Sequence, residues 1–313
     1  MSLPFLQSYL GLSAGLNTLH APGADNGATR GVFGGGYSGS NSNVMDYITI
    51  ATLGNAIDFG DLTLARYESA GVNSSTRGIF GGGFGGGYSN VMDYITIATL
   101  GNAIDFGDLT VGRIDLAGLN STTRGVFGGG SNGSNSNVID YITISTLGNA
   151  IDFGDLTLAK SYLAGCNSST RGIFGGGYDG SNLNVIEYIT IATLGNAIDF
   201  GDLTVARYGL VGINSDIRGC FAGGYSGGYS NVIDYITIST LGNAIDFGDL
   251  TLARYTPSGC NSTTRGIFGG GSPSSGAYSN VIDYITIATP GNAIDFGDLT
   301  VARYGPAGIQ NGL

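Results

Sequence analysis

Residues 171–217 read RGIFGGGYDGSNLNVIEYITIATLGNAIDFGDLTVARYGLVGINSDI, and this stretch decides the fold because the chain repeats it. The arginines that open its close copies are Arg30, Arg77, Arg124, Arg171, Arg218 and Arg265, each 47 residues after the one before. A second series, GNAIDFGDLT, begins at Gly54, Gly101, Gly148, Gly195, Gly242 and Gly291, so the last unit has gained two residues ahead of it. A chain of 313 residues ordinarily suggests one or two domains. The fixed period overrides that prior and marks one repetitive body from about residue 23 to the end.

Each unit supplies four short strand candidates. YxxAG, RGIFGG, NVIDYITIAT and AIDFGDLT are rich in β-branched, aromatic or small residues and are separated by turn-like sequences. NSST joins the first to the second, a glycine- and serine-rich loop follows the glycine triplet, and GN marks the third joint. In the third candidate both alternating sets are apolar, Val44, Ile48 and Ile50 against Met45 and Tyr47, as in a sheet covered on both faces. Four strands in a unit of this length, repeated six times, fit the blades of a β-propeller, whereas a rung of a parallel β-helix is much shorter. The expectation is an all-β, six-bladed propeller over residues 23–313, with residues 1–22 as an N-terminal arm. The end of the chain, ARYGPAGIQNGL, repeats a first-strand segment without its continuation, so it is expected to complete the first blade and close the ring.

Charge is sparse and regular. Only 11% of residues are charged, and the 12 basic residues fall at two positions of the unit, ahead of GIFGGG and after LTLA. Against 23 acids this gives a net charge of −11 with no basic patch, which argues against nucleic acid and anionic membrane as partners. No apolar run is long enough to span a bilayer as a helix. The arginines ahead of the glycine triplet (Arg30, Arg77, Arg124, Arg171, Arg218, Arg265) and the acids of the third strand (Asp46, Asp93, Asp140, Glu187, Asp234, Asp283) are the expected members of inter-blade ion pairs. A rival use of acids, calcium held by DFGD pairs such as Asp58 and Asp61, rests on a short motif that a turn explains equally well. The expectation is no metal and no cofactor.

Catalytic chemistry has few supports. The one histidine, His20, precedes the repeats, and the three cysteines, Cys166, Cys220 and Cys260, stand where other units place Val72 or Ile79, as small apolar substitutes. The glycine triplet lacks the GK[ST] of a phosphate loop and reads as architecture. A carboxylate-pair glycosidase is conceivable, but most of the acids belong to a repeated framework and catalysis needs one asymmetric site.

The units differ from one another at two places, after GGG and after LAR. In a four-stranded antiparallel blade both loops emerge on one end of the propeller, with NSST and GN on the other. The variable end is rich in tyrosine, serine, glycine and asparagine, residues suited to adaptable recognition. The candidate binding residues are Tyr37, Glu68, Phe84, Tyr88, Asp115, Tyr178, Asp179, Tyr225, Tyr229 and Tyr278.

The unit resembles the kelch repeat: an arginine, a small-residue strand, an apolar strand ending in paired glycines, then a strand bearing an acid and a tyrosine. It departs from the kelch pattern in having no tryptophan; the DFGD phenylalanines, Phe59 onward, would fill that place at a different spacing. The wording RGVFGGG, IDYITIATLGNA and DFGDLTVARY is similar to tandem-repeat proteins of tailed bacteriophages of aquatic bacteria. That resemblance implies a non-enzymatic structural or attachment protein, virion-borne or extracellular, whose partners are other virion proteins or a host-surface glycan or receptor. A lectin-like propeller is the alternative, and the apolar N-terminal arm offers a route to homo-oligomers.

Overall fold

A computed structural model of the protein describes residues 29–311. The proposed arm at 1–22 and His20 lie outside the described residues. The first strands are β1 (Arg30–Gly34), β2 (Val44–Thr49), β3 (Ile57–Asp61), β4 (Ala70–Asn73), β5 (Arg77–Gly81), β6 (Val91–Thr96) and β7 (Ile104–Asp108). Strands β8 to β23 repeat this pattern between residues 117 and 298, and β24 (Ala307–Gln310) ends it. They form six antiparallel four-stranded sheets, five of them built from consecutive strands and one in the order β24-β1-β2-β3. The chain is therefore a six-bladed β-propeller, and the last strand is the innermost strand of the first blade, as expected from the unfinished repeat at the C-terminus. We number the blades from this one.

Inner strands surround the axis so tightly that only glycine fits at their second position. A Cβ on Gly71 would stand 2.2 Å from the carbonyl oxygen of Gly308 in the preceding blade, and one on Gly118 2.3 Å from that of Gly71. The glycine triplet has a similar cause. A Cβ on Gly81 would meet the ring of Phe127 in the next blade at 2.9 Å. Gly82, at φ +74°, leaves 2.7 Å to the carbonyl of Arg113, a backbone conformation and a clearance that favour a residue without a side chain. The triplet thus seats the neighbouring blade's phenylalanine and lets the connecting segment cross.

Each interface between blades holds an apolar cluster, as with Val72, Ile79, Met92, Phe106, Phe127 and Ile142. Cys166, Cys220 and Cys260 are buried free thiols within such clusters, and burial pushes the Cys220 thiol up to about 12. The outer strand of a blade is not left as a bare edge. Gly101 and Ala103 donate backbone bonds to Phe59 (2.9 Å) and Asp61 (2.8 Å), and Asp61 N–H donates to Asn102 Oδ1 at 3.0 Å. The Gly-Asn segment, in the β6–β7 connection on the same end as NSST, thus also lies along the outer strand of the preceding blade; it covers an edge that would otherwise invite another strand.

Both basic series staple neighbouring blades, in a different pairing from the expected one. The acids of the third strand are completely buried, and their ionic partners are the residues after LTLA: Arg66–Asp93 (2.8 Å), Arg113–Asp140 (2.7 Å), Lys160–Glu187 (2.6 Å), Arg207–Asp234 (2.8 Å), Arg254–Asp283 (2.7 Å) and Arg303–Asp46 (2.8 Å). Arg66 also donates to the carbonyls of Phe80 and Val91, and Asp93 accepts from Thr63 at the exit of the blade before. One carboxylate thereby ties down both ends of the crossover. The arginines ahead of the triplet do another job. Arg77 stacks over Tyr94 at 4.6 Å and donates to Ile144 O of the next blade at 2.8 Å, and Arg30, Arg124, Arg171, Arg218 and Arg265 repeat this. The reason is register: Arg77 faces Thr96 across the hairpin, whereas Phe80 faces Asp93.

Candidate binding end and its axial acid pair

The loop after the glycine triplet and the connection between blades do meet on one end. Tyr67 bridges Phe84, Tyr37 bridges Tyr304, and Tyr208 bridges Tyr225, each pair joining one variable segment to the other. The rings gather into two arcs. One runs over blades 6, 1 and 2: Tyr37 packs against Tyr67, Tyr278 and Tyr304 at 5.4–5.9 Å between centroids, and Phe84 joins Tyr67 to Tyr88. The other covers blades 4 and 5, where Tyr208 lies within 5.1–5.6 Å of Tyr162, Tyr178, Tyr225 and Tyr255 and Tyr225 leads on to Tyr229. Tyr88 (45%) and Tyr178 (36%) keep the most ring surface open to solvent. Between the arcs, blade 3 presents Ile114 against Ser131 instead of aromatic rings.

Nearer the axis lies an unusual ring. Glu68, Asp115, Tyr162, Gly209, Thr256 and Gly305 occupy the same place in successive units, two residues after the buried cation, and all have φ between +45° and +65°. Their backbones close a cycle of six hydrogen bonds: Asp115 N–H to Glu68 O, Tyr162 to Asp115, Gly209 to Tyr162, Thr256 to Gly209, Gly305 to Thr256 and Glu68 to Gly305, at 2.7–3.1 Å. The left-handed conformation turns each connection inward so that this cycle can form, at a strain cost to the four members that are not glycine.

The backbone ring is sixfold, but its side chains are not. Gly209 leaves the space into which the Tyr255 ring leans, since a Cβ there would sit 2.0 Å from that ring; Gly305 likewise leaves room for Glu68. The side chains of Tyr255, Tyr162, Asp115 and Glu68 follow one another across the mouth of the channel, each interacting with the next. Burial pushes the Glu68 carboxyl up to about 7, against the hydrogen bond it accepts from Asp115. Asp115 is raised well above the carboxylate range by burial first, then by the charge of Glu68 and the proton it donates there. Burial thus favours the protonated form of both carboxyls.

Of the candidate residues, Glu68 and Asp115 are brought together, Tyr37, Phe84, Tyr88, Tyr178, Tyr225, Tyr229 and Tyr278 join the arcs or their rims, and Asp179 stays outside, its Oδ1 accepting from Ser181 N–H in a local turn. The tyrosines directly after the buried cation, Tyr67, Tyr208, Tyr255 and Tyr304, complete the arcs and were missed; their recurrence next to a basic residue in four units was the available signal. Asp58 lies opposite Asp46 on an outer strand. Among the described residues no three His, Cys, Asp or Glu side chains are grouped to hold a metal. At the other end of the channel, Asn73, Asn120, Asn167, Asn214 and Asn261 pass side-chain carbonyls to backbone N–H groups of neighbouring blades, within the constant NSST turns. No protein-family model matches this chain, and no curated protein matches it as a relative.

Proposed function

We propose that this protein is a non-enzymatic attachment module, a stiff ring that presents its variable end to a partner. The observation that carries the reading is the convergence of both variable segments into two aromatic arcs on one end, while the framework charges are consumed in holding blades together. Tyrosine supplies contact area at low entropic cost, and the serines, glycines and asparagines around it supply adaptable hydrogen bonds. The third-strand acids are spent in buried pairs that repeat at every joint, which favours binding over glycoside hydrolysis. Together with the resemblance of the repeats to phage tandem-repeat proteins, this makes a virion component with a kelch-like propeller, docked to another virion protein or to a host-surface receptor, the reading of choice.

A lectin-like module is the second reading, and the open rings of Tyr88 and Tyr178 beside small polar residues favour it, because aromatic faces stack on sugars. Immunogold electron microscopy of phage particles from the native source separates the two. Gold on tails or capsids supports the virion reading; its absence, with retention on a glycan array that falls at least tenfold in Tyr88→Ala/Tyr178→Ala, supports the lectin. Failure on both counts removes the variable end as a contact surface.

A further inference from the structure

The cavity beneath the ring at the variable end is bounded by segments of all six blades and has a volume of about 130 Å³. Its wall includes Glu68, Ser69, Asp115, Tyr162 and Thr256, with no lysine or arginine. Glu68, Ser69, Asp115 and Thr256 are each at least nine-tenths buried. Three of their oxygens have no hydrogen-bond partner: Asp115 Oδ1, Ser69 Oγ and Thr256 Oγ1. Buried polar atoms are seldom left in this state, and three around one cavity point to something that belongs there.

The donor set is all oxygen: two carboxyls and two hydroxyls, with phenols beyond them. Nothing soft, nothing nitrogenous and nothing cationic lines the space. The volume admits an ion with a few waters, and hard divalent cations take such oxygens and complete their shell with water. The geometry points to an axial site for a hard divalent cation of the calcium type, held by the carboxylates of Glu68 and Asp115 with the hydroxyls of Ser69 and Thr256. The site exists in one place only, because the equivalent positions in the other units carry Tyr162, Gly209, Thr256 and Gly305. It is independent of whether the aromatic arcs bind a partner.

The groups facing the pair are the phenols of Tyr162 and Tyr255 across the mouth and of Tyr67 and Tyr304 from the arc above, all four raised by burial and none of them cationic.

The test uses the full chain, stripped with a chelator, titrated with calcium chloride by calorimetry at pH 8. One saturable site per chain is expected. Terbium, a calcium probe, should emit on excitation of tyrosine, since Tyr162 and Tyr255 adjoin the site and the chain has no tryptophan. Glu68→Gly and Asp115→Gly put at these positions the residue that blades 5 and 1 already carry, and Asp115→Asn keeps the shape. Each should abolish the calcium heat and the terbium signal while the far-ultraviolet circular dichroism is unchanged. No heat at millimolar calcium, binding unchanged in a folded Asp115 variant, or saturable binding of ammonium or potassium alone would each overturn the assignment.

Discussion

The third joint offers the sharpest test of how the blades are coupled, because it is the one place where the buried pair is Lys160–Glu187 instead of arginine and aspartate. The lysine is shorter than arginine and the glutamate longer than aspartate, so the two changes offset each other in length. Reverting only the acid, Glu187→Asp, withdraws the carboxylate by about 1.5 Å. The 2.6 Å contact with Nζ then opens to about 4 Å. With an effective dielectric of about 20, that retreat forfeits about 2 kcal/mol of attraction. Glu187 Oε2 also accepts from Thr157 N–H at 2.7 Å and Thr157 Oγ1 at 2.6 Å. Losing these bonds in a buried place adds about 1–3 kcal/mol. Lys160→Arg alone forces a guanidinium into a space already closed by the longer acid, at about 1–3 kcal/mol. The singles should therefore sum to about 4–8 kcal/mol, while Lys160→Arg/Glu187→Asp recreates the pair of the other five joints and should stay within about 1 kcal/mol of the parent. Urea unfolding followed by tyrosine fluorescence and circular dichroism reads the cycle. A double variant as weak as the sum of its singles would refute the idea that length matching across the joint decides these residues.

Two further outcomes follow from the same structure. Glu68 titrates near 4.5 in the unfolded chain but holds its proton to about 7 in the fold, so its contribution to stability is complete at low pH and is lost as pH rises through that window. On this account Glu68 contributes a fall of roughly 3 kcal/mol between pH 4.5 and 8, measured with chelator present, beside that of the likewise raised Asp115, and Glu68→Gln should make the profile shallower; an equal slope in the variant counts against it. Gly82→Ala and Gly86→Ala both place a methyl at positive φ, but the first meets the Arg113 carbonyl and the second meets nothing within 4 Å. Thermal unfolding should show a loss of about 3 kcal/mol or more for the first and about 1 kcal/mol for the second, and equal losses would show that φ strain, not crowding, governs the triplet.

The period made the fold legible, since a fixed spacing with four strand-like segments per unit allows few architectures, and the unfinished last repeat told where the ring closes. Pairing across a joint is a different kind of information. Arg77 is nearer in sequence to Asp93 than Arg66 is, yet the hairpin register carries it to the far end of the strand. The sequence did hold the clue, because its sole lysine and the sole glutamate in the third-strand series fall at the partnered positions of one joint, a paired exception that betrays contact. The axial acids were legible as variable residues but not as neighbours. Their meeting depends on the backbone ring, which four non-glycine residues enter only by adopting a conformation that composition does not advertise.

The uniform joints have a consequence for how such a gene can change. Six buried pairs of the same reach turn the chain by the same amount at every step, and six equal steps consume one full circle, with β24 landing beside β1. Near-identical coding repeats recombine unequally, adding or deleting whole units. A gene with seven or five would still encode sound blades, but its last strand would arrive out of line with the first, leaving an open edge in place of the clasp. The fold thus counts its own repeats, and a miscount would be visible to selection as a failure to close.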